Sequence, residues 1–255
     1  MTSSANGVAL VTGAGARIGK AIALALAGEG YDVAVHYRSS KNEADTVVSE
    51  IKKIGRKAVA VQTDLSIEEE TAGLIKAATD KLGPLSLLVN SASVFEHDEI
   101  DTMTRESWDK HLETNLRAPL KLTQDFAAQA KVGANNLVVN LIDQRVLKLT
   151  PQFLTYTLTK SALFSLTQTL AQALGPKCIR VNGVGPGPVL KNARQSDEDW
   201  ARQNEATILG HGATPDDICD TVLYLVKARA VTGQMIAVDG GQHLAWQTPD
   251  VLVKE

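Results

Sequence analysis

The sequence predicts a single α/β domain in which helices cover both faces of a seven-stranded parallel sheet. Short apolar, β-branched runs alternate with longer helix-forming stretches to near the end of the 255 residues. A glycine-rich turn follows the first apolar run and leads directly into a helix-forming run. The chain is long enough to bury a sizeable core, and no linker or repeat divides it.

The elements follow in order along the chain. We expect strands near residues 7–12, 32–37, 57–62, 86–90, 136–142, 178–184 and 234–238. We expect helices near residues 17–29, 41–54, 67–81, 105–131, 152–174 and 215–228. The polar segment 191–212 has no place in this alternation, and its position predicts either a mobile lid over a substrate or a rigid helical insertion.

The turn after the first strand has the composition of a phosphate-binding loop. It reads Thr12-Gly-Ala-Gly-Ala-Arg-Ile-Gly19, between a buried strand and a helix. Gly13 permits the tight turn, and the helix N-terminus offers free N–H groups to a pyrophosphate. The alternative is an ordinary strand-to-helix turn that contains glycines. The combination of strand, turn and helix predicts a dinucleotide site of the Rossmann type.

The end of the second strand indicates which dinucleotide binds. An NAD enzyme usually has an acidic residue here to bind the ribose hydroxyls. This chain instead has Tyr37, Arg38 and Ser39. An arginine can bind a 2′-phosphate through two hydrogen bonds, whereas a carboxylate would repel it. The sequence therefore favours NADPH, unless Arg38 is only a solvated surface residue.

Two residues on a predicted helix have the spacing of a proton donor and its cation. Tyr156 and Lys160 are four residues apart, so they share one helix face. A cation about 4 Å from the phenol would lower its pKa toward neutrality. Asp143 lies thirteen residues before the tyrosine. These residues predict general acid catalysis by Tyr156.

These motifs resemble those of the short-chain dehydrogenase/reductase family over nearly the whole chain. The resemblance implies that the cofactor contacts Ile18, the pair Asp64-Leu65, the segment Asn90-Ser91-Ala92, and the turn Pro186-Gly187, as well as Tyr156 and Lys160. It implies that Asn115 holds a water of the proton relay near Lys160. It also implies a homotetramer with the helices 105–131 and 152–174 at an interface.

The positions at which the chain departs from the family pattern indicate a particular branch of the family. Arg17 replaces the middle glycine of the turn, Ser93 replaces another glycine, and Asp143 replaces the catalytic serine. Together with Phe95, they resemble the pteridine reductase branch, which includes bacterial dihydromonapterin and dihydrofolate reductases. The resemblance implies that Arg17 contacts both the cofactor phosphate and the pterin, that Phe95 stacks on the pterin ring, and that Asp143 and Tyr156 transfer protons.

A pterin suits such residues, because it is flat and rich in hydrogen-bonding groups. Reduction of a ring C=N bond needs a hydride on carbon and a proton on nitrogen. A buried carboxyl with a raised pKa can supply that proton. The alternatives are that Phe95 is a plain wall residue and that Asp143 caps a helix or pairs with Arg145.

Composition narrows the remaining classes. A net charge of −3 and a pI near 6.0 give no reason to expect binding to nucleic acid or membranes. The segment 1–6 is short and polar, which predicts a cytoplasmic protein. Cys178 and Cys219 are expected to be buried, apolar residues. The five histidines lack ligand spacing, so we expect no metal site.

The sequence thus predicts an NADPH-dependent reductase of a pterin-like substrate. A carbonyl reductase acting on a ketone or a 3-oxoacyl substrate is the alternative within the same fold, if Asp143 is only structural. A non-enzymatic NADPH-binding sensor is the alternative of another class, although a sensor has no need of a proton relay.

Overall fold

The computed structural model describes residues 6–192 and 194–245, so most of the N-terminal segment 1–6 and one residue of the segment 191–212 lie outside the described ranges. The strands are β1 Gly7–Val11, β2 Tyr31–Tyr37, β3 Ala58–Gln62, β4 Leu87–Asn90, β5 Asn136–Leu141, β6 Ile179–Pro186 and β7 Met235–Val238. The helices are α1 Arg17–Gly28, α2 Lys41–Lys53, α3 Glu68–Leu82, α4 Arg105–Leu112, α5 Ala118–Gln129, α6 Leu154–Leu174, α7 Asp197–Glu205 and α8 Pro215–Lys227.

All seven predicted strands exist and join one sheet in the order β3-β2-β1-β4-β5-β6-β7. Every neighbouring pair is parallel. The chain runs outward from β1 through β2 to β3, and it then returns to the other side of β1 as β4. The strand order therefore reverses at β1, where α/β sheets open a crevice at the carboxyl ends of the strands. The predicted fold class is confirmed.

The sequence of β1 shows why helices cover both faces of the sheet. Alternate side chains of a strand point to opposite faces. Ala9 and Val11 pack in one core with side chains of α1, α2 and α8. Val8 and Leu10 pack in a second core with side chains of α3, α5 and α6. A strand buried on both sides must be apolar throughout, as this one is.

The helix predicted near 105–131 is present and runs without a break from 105 to 129, but not all of its turns are α-helical. A π-helical turn, Glu113–Arg117, separates α4 from α5. Pro119 lies in the first turn of α5 and has no N–H to donate to the carbonyl of Asn115, which favours a wider turn at this point. The π turn contains Asn115, so the irregular backbone coincides with a predicted site residue.

Two other local expectations have different outcomes. Cys178 is exposed and precedes β6 in a left-handed conformation with φ of 56°, so the prediction that it is buried in a strand is wrong. Cys219 is buried in α8, as predicted.

Segment 191–212 contains α7, whose first turn is capped by Ser196. Within the described ranges, the helices lack the combination of length and apolar character that a membrane crossing requires.

Candidate active site

An outer cleft of about 700 Å³ opens at the carboxyl ends of the first strands of the sheet. Eleven of the fifteen residues predicted to bind the cofactor line it: Gly13, Arg17, Ile18, Tyr37, Arg38, Ser39, Asp64, Leu65, Ser91, Ala92 and Tyr156. The structure thus brings together residues that lie up to 143 positions apart (156 − 13) in the chain.

The other four predicted residues do not line the outer cleft. Asn90 is buried, and its side-chain amide donates to Oδ1 of Asn140 at 2.8 Å. Lys160 is buried in α6. Pro186 ends β6, and Gly187 lines a second space, the inner cavity, of about 490 Å³. All fifteen positions remain predictions as cofactor contacts.

The glycine turn needs glycine because its neighbours are so close. Gly13 has φ of +66°, and a Cβ on it would lie 3.0 Å from Cα of Ala92. A Cβ on Gly19 would lie 2.4 Å from the carbonyl oxygen of Gly13. Ala16, the residue before α1, has no side-chain oxygen that could accept hydrogen bonds from the first N–H groups of the helix. Such a helix start favours an anion.

His36 supports this turn from the neighbouring strand, a role that sequence reasoning missed. Its Nδ1 accepts the N–H of Gly13 at 3.0 Å, and its Nε2 lies 3.0 Å from the carbonyl oxygen of Thr63. The acceptor role of Nδ1 places the ring proton on Nε2, which donates to Thr63. Burial lowers the pKa of His36 to about 4. The ring is therefore neutral at pH 7, as its acceptor role requires.

Arg38 lies at the open end of β2 with an exposed side chain. Within residues 6–192 and 194–245, its guanidinium has no hydrogen bond or ion pair, and only its backbone carbonyl is bonded, to the amide of Gln62. Asp64, which also lines the cleft, has one carboxylate oxygen occupied by the N–H and hydroxyl of Ser66. Because no hydrogen bond from the described residues occupies it, this guanidinium is available to a phosphate, although its charge also acts on Asp64.

Tyr156 and Asp143 form the centre of the site. Tyr156 is buried on α6, and its hydroxyl donates to Oδ2 of Asp143 at 2.8 Å. Oδ1 of Asp143 accepts the N–H of Arg145 at 2.8 Å, which caps the short helical turn Gln144–Leu147. The carboxylate therefore caps a helical turn with one oxygen and holds the phenol with the other.

The electrostatics differ from the prediction for Tyr156. Burial and the adjacent Asp143 raise the pKa of Tyr156 well above its ordinary value, so the predicted lowering by Lys160 is wrong. Nζ of Lys160 donates to the carbonyl oxygen of Leu141 at 2.7 Å, and burial lowers the pKa of Lys160 to about 8. Burial raises the pKa of Asp143, as the sequence predicted. Burial thus makes Asp143 a weaker acid than a carboxyl in water, while Tyr156 becomes a weaker acid than a free phenol.

Asn115 lies behind this centre, in the π turn. Its Oδ1 accepts the N–H of Val94 at 2.8 Å and the hydroxyl of Ser93 at 3.2 Å. Its Nδ2 donates to the carbonyl of Val94 at 2.9 Å and to Thr159 at 3.3 Å. Asn115 therefore fixes the segment after β4, while its relay role near Lys160 remains a prediction.

Phe95 lies in the wall between the two cavities and lines both. Its ring stacks on Phe153, with centroids 4.3 Å apart and planes within 8° of parallel. It meets the ring of Tyr156 edge-on at 4.6 Å. Phe153 precedes α6 in a left-handed conformation with φ of 59°, and sequence reasoning missed it because such a conformation is rare in phenylalanine.

Segment 191–212 begins against this aromatic pair. Arg17 donates to the carbonyls of Leu190 at 3.0 Å and Lys191 at 3.3 Å. Arg194 donates to the carbonyl of Phe95 at 3.1 Å, and Trp200 of α7 lines the inner cavity with Asp143. The segment therefore forms one wall of the inner cavity. Its mobility remains a prediction.

The described residues contain no group of three or more histidine, cysteine, aspartate or glutamate side chains arranged to hold a metal ion. The polar groups of the site are instead the phenol, carboxyl, ammonium and guanidinium groups given above. With a dinucleotide-type turn beside them, this set suits hydride transfer coupled to proton transfer.

The fold and the site together define a class, and the chain belongs to the short-chain dehydrogenase/reductase family of NAD(P)-dependent oxidoreductases. A family model described as enoyl-(acyl carrier protein) reductase matches residues 13–243. The match begins at the glycine turn and extends beyond the last strand.

Individual relatives narrow the comparison. The crystal structure of FolM alternative dihydrofolate reductase 1 from Brucella canis, complexed with NADP, is 45% identical, with a TM-score of 0.93, over 98% of this chain and 99% of that one. An uncharacterized oxidoreductase of Methylorubrum extorquens is 39% identical over 92% of this chain and 96% of its own length. The 3-oxoacyl-[acyl-carrier-protein] reductase FabG of Staphylococcus epidermidis is 34% identical over 94% of this chain and all of its own length (100%).

We predict that Arg38→Ala narrows the preference for NADPH over NADH by roughly 1.5–3 kcal/mol, the scale of a charge-assisted hydrogen bond. Binding titrations with both cofactors measure the preference. Lys52→Ala, an exposed substitution on α2 outside the cleft, is the control and leaves it unchanged. Equal affinities of the parent protein for both cofactors would contradict the prediction.

We predict that acid weakens the fold through His36. An unfolded chain protonates this histidine below about pH 6.5, whereas the folded protein does so only near pH 4. The group therefore stabilises the fold above pH 6.5, and this contribution, up to about 3 kcal/mol, is lost as the pH falls toward 4. His36→Gln, which keeps an acceptor without a titrating ring, should show a shallower dependence of unfolding free energy on pH. Parallel curves for the two proteins would refute this role.

Proposed function

We propose that the protein is an NADPH-dependent reductase of a pterin-like substrate, a dihydropterin or a dihydrofolate. The observation that supports this most directly is the hydrogen bond from Tyr156 to Oδ2 of Asp143, at 2.8 Å, in a site where a ketone reductase carries serine. The 45% identity to FolM from Brucella canis points in the same direction. The cofactor is NADP(H), in agreement with the NADP bound by that relative.

The outer cleft fits NADPH by the chemistry of its lining. The glycine turn and the start of α1 suit a pyrophosphate, and Arg38 suits the 2′-phosphate. NADPH supplies a hydride when it is bound. Lys160, whose buried ammonium donates to the carbonyl of Leu141, lies beside the phenol ring, with Nζ 5.6 Å from the ring centroid of Tyr156.

The protein's own residues would move the proton. Burial raises the pKa of Asp143, which favours its neutral acid form. In that form the carboxyl can donate a proton to a ring nitrogen as the neighbouring carbon receives the hydride. The carboxylate that remains is stabilised by the N–H of Arg145 and the hydroxyl of Tyr156. Tyr156 alone is a weaker acid here, because its pKa is raised. Solvent then restores the proton to Asp143.

The aromatic pair Phe95 and Phe153 supports a flat substrate. Arg194 lies with Cζ 5.4 Å from the ring centre of Phe95, and Arg145 lies with Cζ 5.1 Å from that of Phe153. Flat faces beside guanidinium groups favour a planar, nitrogen-rich ring over a simple ketone. The match to FabG favours the second candidate, reduction of a 3-oxoacyl thioester.

A substrate panel separates the two candidates. Oxidation of NADPH is followed with dihydrobiopterin, dihydromonapterin, dihydrofolate, a 3-oxoacyl thioester and a simple ketone. Turnover of a dihydropterin or dihydrofolate supports the proposal. Robust turnover of a ketone or thioester, with none of a pterin or folate, would establish the second candidate. Binding of NADPH without turnover of any substrate would favour a sensor.

The family resemblance also supports two further proposals, a homotetrameric assembly and a cytoplasmic location. Light scattering on the purified protein tests the assembly, and fractionation of source cells tests the location. A monomer in solution would contradict the first proposal.

We predict that Asp143→Ser lowers kcat/KM for the dihydropterin by more than about tenfold, or ~1.4 kcal/mol in the barrier, because serine cannot supply the proton at neutral pH. Asp143→Asn is the informative companion. It retains an oxygen for the N–H of Arg145 but has no acidic proton, so it should be equally impaired. Activity near the parent value in the asparagine variant would mean that Asp143 is only a cap.

We predict that Tyr156→Phe lowers kcat by ~10²–10⁴-fold, the usual contribution of general acid–base catalysis, while NADPH affinity barely changes. The substitution removes the hydroxyl that orders Asp143 and retains the ring against Phe95. Tyr224→Phe removes a hydroxyl from an exposed residue of α8 and serves as the control. Turnover within twofold of the parent in the Tyr156→Phe protein would remove Tyr156 from the mechanism.

A further inference from the structure

A buried carboxylate outside both cavities joins the segment after β4 to two helices. Asp98 is only 2% exposed, and its Oδ1 accepts the N–H of Thr155 at 3.1 Å. Its Oδ2 accepts the hydroxyl of Thr155 and, at 3.0 Å, the hydroxyl of Ser107. Thr155 is in the first turn of α6, and Ser107 is in the first turn of α4.

Asp98 supplies a cap that α6 cannot make from its own sequence. Phe153, the residue before the helix, is in the left-handed region and has no side-chain capping bond. The carbonyl of Asp98 accepts the N–H of Leu154 at 3.2 Å, and its carboxylate accepts the next N–H, that of Thr155. An anion at this end also stabilises the helix dipole.

His111 extends the same set of contacts. It is fully buried, and its Nε2 accepts the N–H of Glu96 at 3.2 Å. Its Nδ1 therefore carries the proton, which it donates to the carbonyl of Ser107 at 2.8 Å, while the hydroxyl of Thr155 lies 3.0 Å away. The histidine thus ties α4 to the backbone directly after Phe95.

We propose that the Asp98 network, formed by Asp98, Ser107, His111 and Thr155, is a positioning device that holds Phe95 and Tyr156 in register. One end of the network lies in the segment of Phe95, and the other lies one residue before Tyr156. None of the four residues lines the outer cleft or the inner cavity, so they act through the residues that do.

The charge of Asp98 suits this role. Burial alone would raise the pKa of Asp98, but hydrogen bonds from Thr155 and Ser107 outweigh burial and lower the pKa. The carboxylate is therefore ionised at neutral pH and accepts from every donor around it. Hydrogen bonds to a charged acceptor are the stronger kind, which suits a contact that must hold two segments together.

The test replaces Thr155 in two ways and uses a distant threonine as control. Thr155→Val removes the hydroxyl and keeps the shape, whereas Thr155→Ser keeps the hydroxyl. Thr123→Val removes an equally buried hydroxyl from α5, where Thr123 donates only within its own helix, to Pro119 at 2.7 Å. For each variant, kcat, KM, NADPH affinity and thermal midpoint are measured.

We expect Thr155→Val to lower kcat by at least about tenfold, since a misplacement near 1 Å costs on the order of 10²-fold. NADPH affinity should stay within about twofold, because the network does not contact the glycine turn or Arg38, which suit the phosphates of the cofactor. Thr155→Ser should recover most of kcat. Thr123→Val should lower the thermal midpoint but keep kcat, which separates positioning from plain stabilisation.

Asp98→Asn gives a second route if Thr155→Val does not fold. It is nearly isosteric, but it presents an N–H₂ group to hydroxyl donors, so kcat should fall in the same way. A folded Thr155→Val or Asp98→Asn protein with kcat within twofold of the parent overturns the proposal, as does equal loss in Thr123→Val. The measurement of kcat requires a substrate that the parent protein reduces, whichever compound that is. The assay uses whichever compound of the panel the parent reduces, so a failed pterin assignment leaves the result interpretable.

Discussion

The parallel direction of all seven strands is the constraint on which the site depends. Parallel strands end at one edge of the sheet, so the segment that follows each strand meets its neighbours there. The glycine turn follows β1, Arg38 follows β2, the segment of Phe95 follows β4, and Asp143 follows β5. Reversal of the order at β1 separates the loops on its two sides and leaves room for the outer cleft. These groups therefore come from loops whose spacing the strands fix, whereas Tyr156 and Lys160 lie on helix α6.

Burial then determines what these groups can do. In water, a carboxyl is ionised at neutral pH and a phenol is not. In this site, burial raises the pKa of Asp143 and of Tyr156, and it lowers the pKa of Lys160 to about 8. In all three residues, burial thus shifts the pKa in the direction of the uncharged form. Asp143 also shows that a structural role and a chemical role are compatible, because its two oxygens have different partners.

The sequence was sufficient for features that depend on local pattern. The seven strands, the glycine turn and the shared helix face of Tyr156 and Lys160 follow from residue spacing and type. It was not sufficient where distant residues decide the outcome. The phenol's pKa depends on burial against Asp143 rather than on Lys160, and His36 acts on Gly13 from a neighbouring strand. The left-handed conformation of Phe153 has no sequence signal because it is rare in phenylalanine, and its stacking partner Phe95 lies 58 residues earlier (153 − 95).

Three residues, Arg17, Phe95 and Arg194, line both the outer cleft and the inner cavity. The two spaces therefore share a wall, and a ligand in the outer cleft changes the surface that a ligand in the inner cavity meets. A substitution at any one of these three positions therefore changes the lining of both spaces at once.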